Sequence, residues 1–413
     1  MMKRVVVTGI GAITPVGDDV KTSWANMLEG RSGIDYIKSF DTSKHVVKIA
    51  GEVKNFKPEL RVDPKMARRL DRCVLLSMWA TVEAVNDSKI DFNNCDKADI
   101  GVIIGSGIGG LLTWEEEHTK FMNHGPSRVS PFLIPMMIPD MTSGYIAIHY
   151  GLKGPNYTTV SACASGAHAI GTAFREIKNG NAVMVISGGA EAPVTPFALA
   201  GFTNMRALSR RNDEPQKASR PFDVNRDGFV IAEGAATLVL EELEFAQKRG
   251  ARIYAEICGF GATGDGYHIT APAPDGEGAR RAMERAIKEA GIVPGQVDYI
   301  NAHGTSTDLN DKYEAKAIKN CFGEHASKLL INSTKSMTGH TLGAAGAIEA
   351  IVSIMSMRDG RVHPTVNLEN PDPECAGLDL VPGRARDAKI NCTISNSLGF
   401  GGHNATLCIK SFP

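Results

Sequence analysis

The sequence predicts an α/β protein with substantially parallel strand pairing, built from two related halves. Three observations carry this. Short β-branched runs alternate with helical segments, glycine is abundant without any period, and one strand–turn–helix pattern occurs twice. The strand-like runs are RVVVTGI, IGVIIGSG, NAVMVISGG, ATLVLEEL, VDYINAHG, TISNSLGFGG and ATLCIK, with a helix predicted near Val20 to Leu28. The 43 glycines suit tight strand-to-helix turns and close backbone approaches. In the first half, Tyr157 to Val160 reads as a strand running into SACASGAHAIGTAF; in the second, Leu330 to Ser333 runs into TKSMTGHTLGAAGAIEAI. Both are turns opening onto helices of small residues, which tolerate close neighbours and belong between layers. A polar stretch from Lys248 to Arg252 marks the join, giving halves of 1–250 and 251–413.

At 413 residues the chain exceeds one minimal domain of roughly 100–200 residues. With 43% apolar and 22% charged residues it has an ordinary globular balance and enough apolar side chains for a large core. The formal net charge of −1 provides no global attraction to nucleic acid or to an anionic membrane. Eight cysteines are scattered without a C-x-x-C pair, which argues against a disulfide framework or structural zinc and for a reducing, cytoplasmic compartment. The apolar run after Lys3 and Arg4 is interrupted by Gly9 and Gly11 and ended by Pro15, so it reads as strand and turn rather than signal peptide. No stretch approaches the roughly 18 continuous apolar residues of a membrane span.

Two segments imitate known sites. Gly105-Ser-Gly107-Ile-Gly109-Gly110 satisfies G-x-G-x-x-G, but the region about 20 residues on, FMNHGPSRVSP, lacks the acid and strand of a dinucleotide fold. A glycine turn shaping an interior pocket is the better reading. Asp223-Val-Asn225-Arg-Asp227-Gly228 opens like a calcium loop, yet the twelfth position is Gly234, with Glu233 one place early. An Asp-capped turn is expected there instead.

Cys163 stands between an apolar strand and a helix, in Ser161-Ala-Cys163-Ala-Ser165-Gly166. Free N–H groups and the macrodipole at a helix N-terminus favour negative charge, so a thiol pKa lowered from about 8.5 is expected. The same N–H groups can hold an oxyanion when sulfur attacks a thioester. Position alone does not separate Cys163 from an inert core thiol. His303, in NAHGTST, and His340, in KSMTGH, also follow strands, where an α/β fold gathers its functional groups. Neutral imidazoles there can donate to a developing enolate or accept a proton. Each alone is more often a structural histidine; with Cys163 they form a candidate constellation.

These segments closely resemble the β-ketoacyl-acyl-carrier-protein synthases, specifically the type II synthases of bacterial fatty acid elongation. The resemblance spans the chain through SACASG, PFDVNRDGFVIAEG, NAHGTSTDLND, STKSMTGHTLGAAGAIEA and SNSLGFGGHNAT, in the family's order. It implies a thiolase-like five-layered αβαβα sandwich of two duplicated halves, normally a homodimer. It implies Cys163 as acyl acceptor and His303 with His340 as the decarboxylation pair. Lys335 would sit in a buried network with Asp311, Glu314 and Glu349. Phe400, in the loop Gly399 to Gly402, would act as gate and add its N–H to that of Cys163 in the oxyanion hole. Thr305 and Thr307 would bind the phosphopantetheine arm; Thr270 and Gly399 would line the substrate site, and Ile108 the acyl pocket. No metal or redox cofactor is implied. Ser161 and Ser165 replace the Thr of many relatives, and Leu309 is apolar beside the active-site loop.

The implied partner is the acidic acyl carrier protein. Asp63 suits an N-cap and Pro64 a first helical position, which puts Lys65, Arg68, Arg69 and Arg72 at i, i+3, i+4 and i+7 as one basic stripe. Docking on this stripe is expected, with Arg206 a further contact; a solvated face is the alternative. Rival functions are a thiolase using coenzyme A thioesters, a polyketide ketosynthase or its inactive chain-length partner, and a non-catalytic carrier-binding scaffold.

Overall fold

The computed structural model describes residues 2–412. Ten strands form its central sheet. They are β1 (Val5–Ile13), β2 (Ile100–Gly105), β3 (Asn156–Thr159), β4 (Met184–Glu191), β5 (Gly234–Glu242), β6 (Ala255–Gly264), β7 (Tyr299–Asn301), β8 (Leu330–Asn332), β9 (Cys392–Gly399) and β10 (His403–Ser411). Among the helices that connect them, six shape the layers: α1 (Arg72–Ser88), α2 (Met141–Tyr150), α3 (Ser165–Lys178), α4 (Glu277–Glu289), α5 (Asp308–Phe322) and α6 (Ala345–Asp359), while the helix expected near Val20 to Leu28 forms as well.

The duplication is explicit in the topology. The first five strands lie in the order β3-β2-β4-β5-β1 and the second five in the order β8-β7-β9-β10-β6. The senses match as well: β2 is parallel to β3 and β4, as β7 is to β8 and β9, and the last two pairings of each half are antiparallel. The halves join edge to edge where Val5 to Val7 of β1 pair with Ala255 to Ile257 of β6. Helices α1 and α2 pack on one outer face, α4 and α5 on the other. Between the half-sheets lie α3 and α6, each touching strands of both. This is the five-layered αβαβα arrangement.

Close approach explains the glycines. A Cβ on Gly9 or Gly11 of β1 would fall 2.2 and 2.1 Å from the Ala84 and Ala80 carbonyl oxygens of α1. On Gly259 or Gly261 of β6 it would fall 2.2 and 1.9 Å from the Ala286 and Ala282 oxygens of α4. Each half thus seats a helix directly on the backbone of its first strand. The same glycines hid β6 from sequence reading, because they dilute the β-branched signal that marks a strand.

The cysteines, scattered in sequence, are not all scattered in space. A register shift in β6 against β10 brings the Cys258 sulfur within 3.5 Å of Cys408, which lies 3.7 Å from Cys392. All remain free thiols. Among the described residues no helix is long and apolar enough to cross a membrane.

Candidate active site

Cys163 is the middle residue of the single 3-10 turn Ala162–Ala164 that leads from β3 into α3. The turn starts from a left-handed backbone at Ala162, φ 49°, a conformation that costs a non-glycine residue about 1–2 kcal/mol. His303 follows β7, where its backbone N–H and that of Gly304 donate to the Glu314 carboxylate at 2.8 Å each. His340 is held by residues of the first half: its N–H donates to the Val230 carbonyl at 2.7 Å and its carbonyl accepts from Ala232 at 3.0 Å. Tertiary folding brings the Cys163 sulfur and a nitrogen of each imidazole within 4.8 Å of one another. The two rings cross at 83°, centroids 5.3 Å apart, and Phe229 closes the far side of His340 at 5.3 Å.

The backbones of both histidines are committed while their rings are not. Nδ1 of His303 and both ring nitrogens of His340 are buried without a hydrogen-bond partner. Burial first, then the Lys335 ammonium, holds both imidazoles well below their ordinary pKa, and His340 adds to the effect on His303. They are neutral near pH 7. Lys335 is itself buried and forms an ion pair with Glu349, whose carboxyl burial pushes up to about 7 against the pull of that ammonium.

The thiol departs from the sequence expectation. Burial pushes Cys163 up to about 12, outweighing Lys335 and the N–H groups of Phe400 and Cys163 that favour the thiolate. Desolvation of a residue only 7% exposed overrides the turn's favourable dipoles. The resting residue is therefore a thiol, and its proton must leave as substrate arrives. The three donors also lie close enough to hold a soft metal ion, but binding would have to strip that proton and occupy both imidazoles.

A cavity of about 540 Å³ opens onto the cluster, its wall including Ile108, Thr270, Thr305, Thr307, Gly399 and Phe400. Thr305 and Thr307 hydroxyls lie 2.8 Å apart, and exposed Arg206 also borders the cavity. Leu309 is 40% exposed on the same wall.

The expected charge network is smaller than the four residues predicted. Of the three predicted carboxylates, Glu349 alone forms an ion pair with Lys335. Glu314 instead braces the His303 turn, and Asp311 accepts from the Phe222 N–H at 2.8 Å and faces Arg226 at 3.9 Å. Arg226 escaped sequence reading although it also donates to the Thr307 and Asp308 carbonyls, at 3.0 and 2.8 Å, and so holds the histidine loop. Its partners are distant in sequence, which leaves no local signal. Nearby Asp223 caps a turn through the Asn225 N–H at 2.8 Å, as expected.

The basic stripe is also interrupted. Asp63 caps a helix that spans only Pro64–Ala67, and a new helix starts at Arg72 with Asp71 as cap. Lys65, Arg68 and Arg69 remain exposed, Arg69 over the Phe132 ring at 4.8 Å. Arg72 turns away and grips Glu233 with two hydrogen bonds of 2.7 and 2.6 Å. A buried carboxylate outcompetes the solvated face the periodicity predicted.

Comparison with known proteins agrees with this geometry. The family described as beta-ketoacyl synthase, N-terminal domain, matches residues 2–246, and its C-terminal domain matches 254–369. The chain belongs to the β-ketoacyl synthases. Over 410 residues this synthase is 56% identical to the 3-oxoacyl-(acyl-carrier-protein) synthase 2 of Staphylococcus aureus (strain N315), covering 99% of each chain. Its fold matches a beta-ketoacyl synthase from Burkholderia phymatum STM815 with a TM-score of 0.93 at 37% identity over 100% of both chains. It also matches AntDE:AntF, a type II polyketide-synthase acyl-carrier protein in complex with its ketosynthase, with a TM-score of 0.92 at 33% identity, again over 100% of both chains.

Proposed function

We propose that the chain is a 3-oxoacyl-acyl-carrier-protein synthase of fatty acid elongation, working through an acyl-Cys163 thioester. The observation that carries this is one buried thiol within 4.8 Å of two neutral imidazoles, beside the N–H groups of Cys163 and Phe400, which favour its thiolate. The full-length identity to a synthase 2 supports elongation over the thiolase and scaffold alternatives.

In the first half-reaction the thiol attacks the acyl thioester as its proton passes to a neutral imidazole. The two N–H groups hold the oxyanion, and the carrier leaves as its free thiol, taking up that proton. Malonyl carrier then enters, and its C–C bond breaks to release CO2, or bicarbonate once hydrated. The electron pair stays as an enolate, whose oxygen receives hydrogen bonds from His303 and His340, a contribution of about a few kcal/mol. The enolate carbon attacks the acyl-Cys163 carbonyl, the C–S bond breaks, and the departing thiolate takes up a proton from solvent. The product is a 3-oxoacyl carrier two carbons longer. Every step is proton transfer or acyl chemistry among these groups. Lys335 and Glu349 would fix the charge around the imidazoles; Thr305, Thr307 and Thr270 would receive the phosphopantetheine arm past Gly399 and Phe400; Ile108 would end the acyl pocket.

Lys65, Arg68, Arg69 and Arg206 would dock the acidic carrier, consistent with their exposure and with a structural relative solved with an acyl-carrier protein. Edge strand β3 carries Tyr157 and is flanked by Val160 just after it and Ile148 of α2, exposed at 38, 58 and 70%, which supports a homodimer through that side.

Intact-mass analysis after incubation with long-chain acyl carrier tests the central claim. Wild type should gain one acyl group and Cys163→Ala none, and malonyl carrier should discharge the adduct as a longer chain. No adduct on wild type, or an equal one on Cys163→Ala, would refute it. For docking, Lys65→Glu with Arg68→Glu should raise KM for carrier-bound substrates about tenfold while sparing short-chain thioester mimics. Equal losses on both substrates would count against that face.

A further inference from the structure

The loop from Ser106 to Gly109 satisfies an anion-binding pattern, and it does hold an anion: the chain's own Glu191, at the end of β4. Glu191 is fully buried. Its Oε1 accepts from the Ser106 hydroxyl at 2.9 Å, the Ile108 N–H at 3.1 Å and the Gly109 N–H at 3.3 Å. Its Oε2 accepts from the Gly107 N–H at 2.6 Å and the Gly343 N–H at 2.9 Å. Three successive backbone N–H groups turned on one carboxylate make a nest of the kind that elsewhere grips phosphate. All five of these partners donate, so the ionised carboxylate is the form its surroundings match. Burial raises its pKa; the same donors pull it back.

What Glu191 ties together converges on the nucleophile. Ile108 shares the cavity wall with Cys163. Gly107 backs onto the strained turn: a Cβ there would lie 3.2 Å from the Ala162 carbonyl oxygen and 2.9 Å from Glu191 Oε2. Gly343 occupies, in the second half's 3-10 turn Leu342–Ala344, the place that Cys163 holds in the first half's.

We infer that Glu191 is a positioning and specificity-determining residue of the acyl pocket: its carboxylate pins the Ile108 backbone against the Cys163 turn and Gly343. The length of chain accepted is then set by rotation of the Ile108 side chain, because the loop beneath it cannot move without leaving a buried charge unsatisfied. This rests on the reading of Ile108 as the pocket wall.

The test compares kcat/KM for hexanoyl, decanoyl and palmitoyl carrier thioesters. Glu191→Gln keeps the shape but aims an amide NH2 at backbone donors, so the wall loosens. The palmitoyl-to-hexanoyl ratio should rise about tenfold, the scale of one lost hydrogen bond to a charged group. Glu191→Asp retains the charge and should restore most of the wild-type ratio. Ser106→Ala removes one donor and should shift the ratio the same way by less. A folded Glu191→Gln with the wild-type ratio overturns the inference, as does an equal shift in Glu191→Asp, which would assign the effect to packing. Should Glu191→Gln fail to fold, an unchanged ratio in Ser106→Ala overturns it. Ile108→Phe runs alongside: no length effect there would remove Ile108 as the wall, whereas an effect there with none from Glu191→Gln would refute the Glu191 role alone.

Discussion

The two halves repeat one topology down to a strained residue, yet only one centres its turn on a cysteine. Ala162 and Leu342 open equivalent 3-10 turns with φ of 49° and 46°. The next residue is Cys163 in the first half and Gly343 in the second. A Cβ on Gly343 would fall 2.5 Å from Glu191 Oε2 and 2.5 Å from the Gly107 nitrogen, so no side chain fits there. The corresponding space beside Cys163 opens into the cavity. The second half compensates before its turn, where the short helix Lys335–Thr338 supplies Lys335 and leads to His340. The two strand-to-helix turns thus differ in content: one seats Cys163, and the other follows the helix that carries Lys335.

That division can be broken from either side. The largest effect is expected from Lys335→Met, which leaves Glu349 buried without its cation. Stability should fall by about 3 kcal/mol above pH 8 in urea titrations, and by less below pH 6, where Glu349 takes up a proton instead. An equal loss at both pH values would mean the pair matters only for packing. Gly343→Ala, which gives the second turn a side chain, should cost about 2 kcal/mol through the clash with Glu191 and Gly107. A neutral result would show that the turn yields easily.

The smallest and most discriminating effect is in pH. His303 and His340, held low by burial, bind fewer protons folded than unfolded. Their contribution to stability is therefore intact above the unfolded imidazole value of about 6.5 and lost as pH falls below it, by about 1.4 kcal/mol per unit for each group. Cys163 runs oppositely: raised from 9.0 to about 12, it contributes fully below 9.0 and loses that contribution as pH rises toward 12. Iodoacetamide should accordingly label Cys163 slowly at pH 7, with a rate still climbing above pH 9. A plateau near neutrality would restore the lowered pKa expected from the turn alone.

Much of this was legible in one dimension. The α/β class and the repeat follow from local patterns, because strand ends and small-residue turns are local events; Cys163, His303 and His340 stood out only as a constellation and through the family resemblance. Strand β6 was hidden by its glycines, and the docking stripe was over-read because helical periodicity does not reveal the break at Arg68 to Asp71. Arg226 and Glu191 had no signal, since their partners lie in other segments.

The sequence by itself determined which residues could do chemistry and where turns would present them. Only the tertiary structure decided their protonation, since burial is a property of the packed molecule: it keeps Cys163 a thiol and both histidines neutral. It also decided what the Gly105 to Gly110 loop binds. Its N–H groups are set by local backbone, but the anion that fills them arrives from the end of another strand.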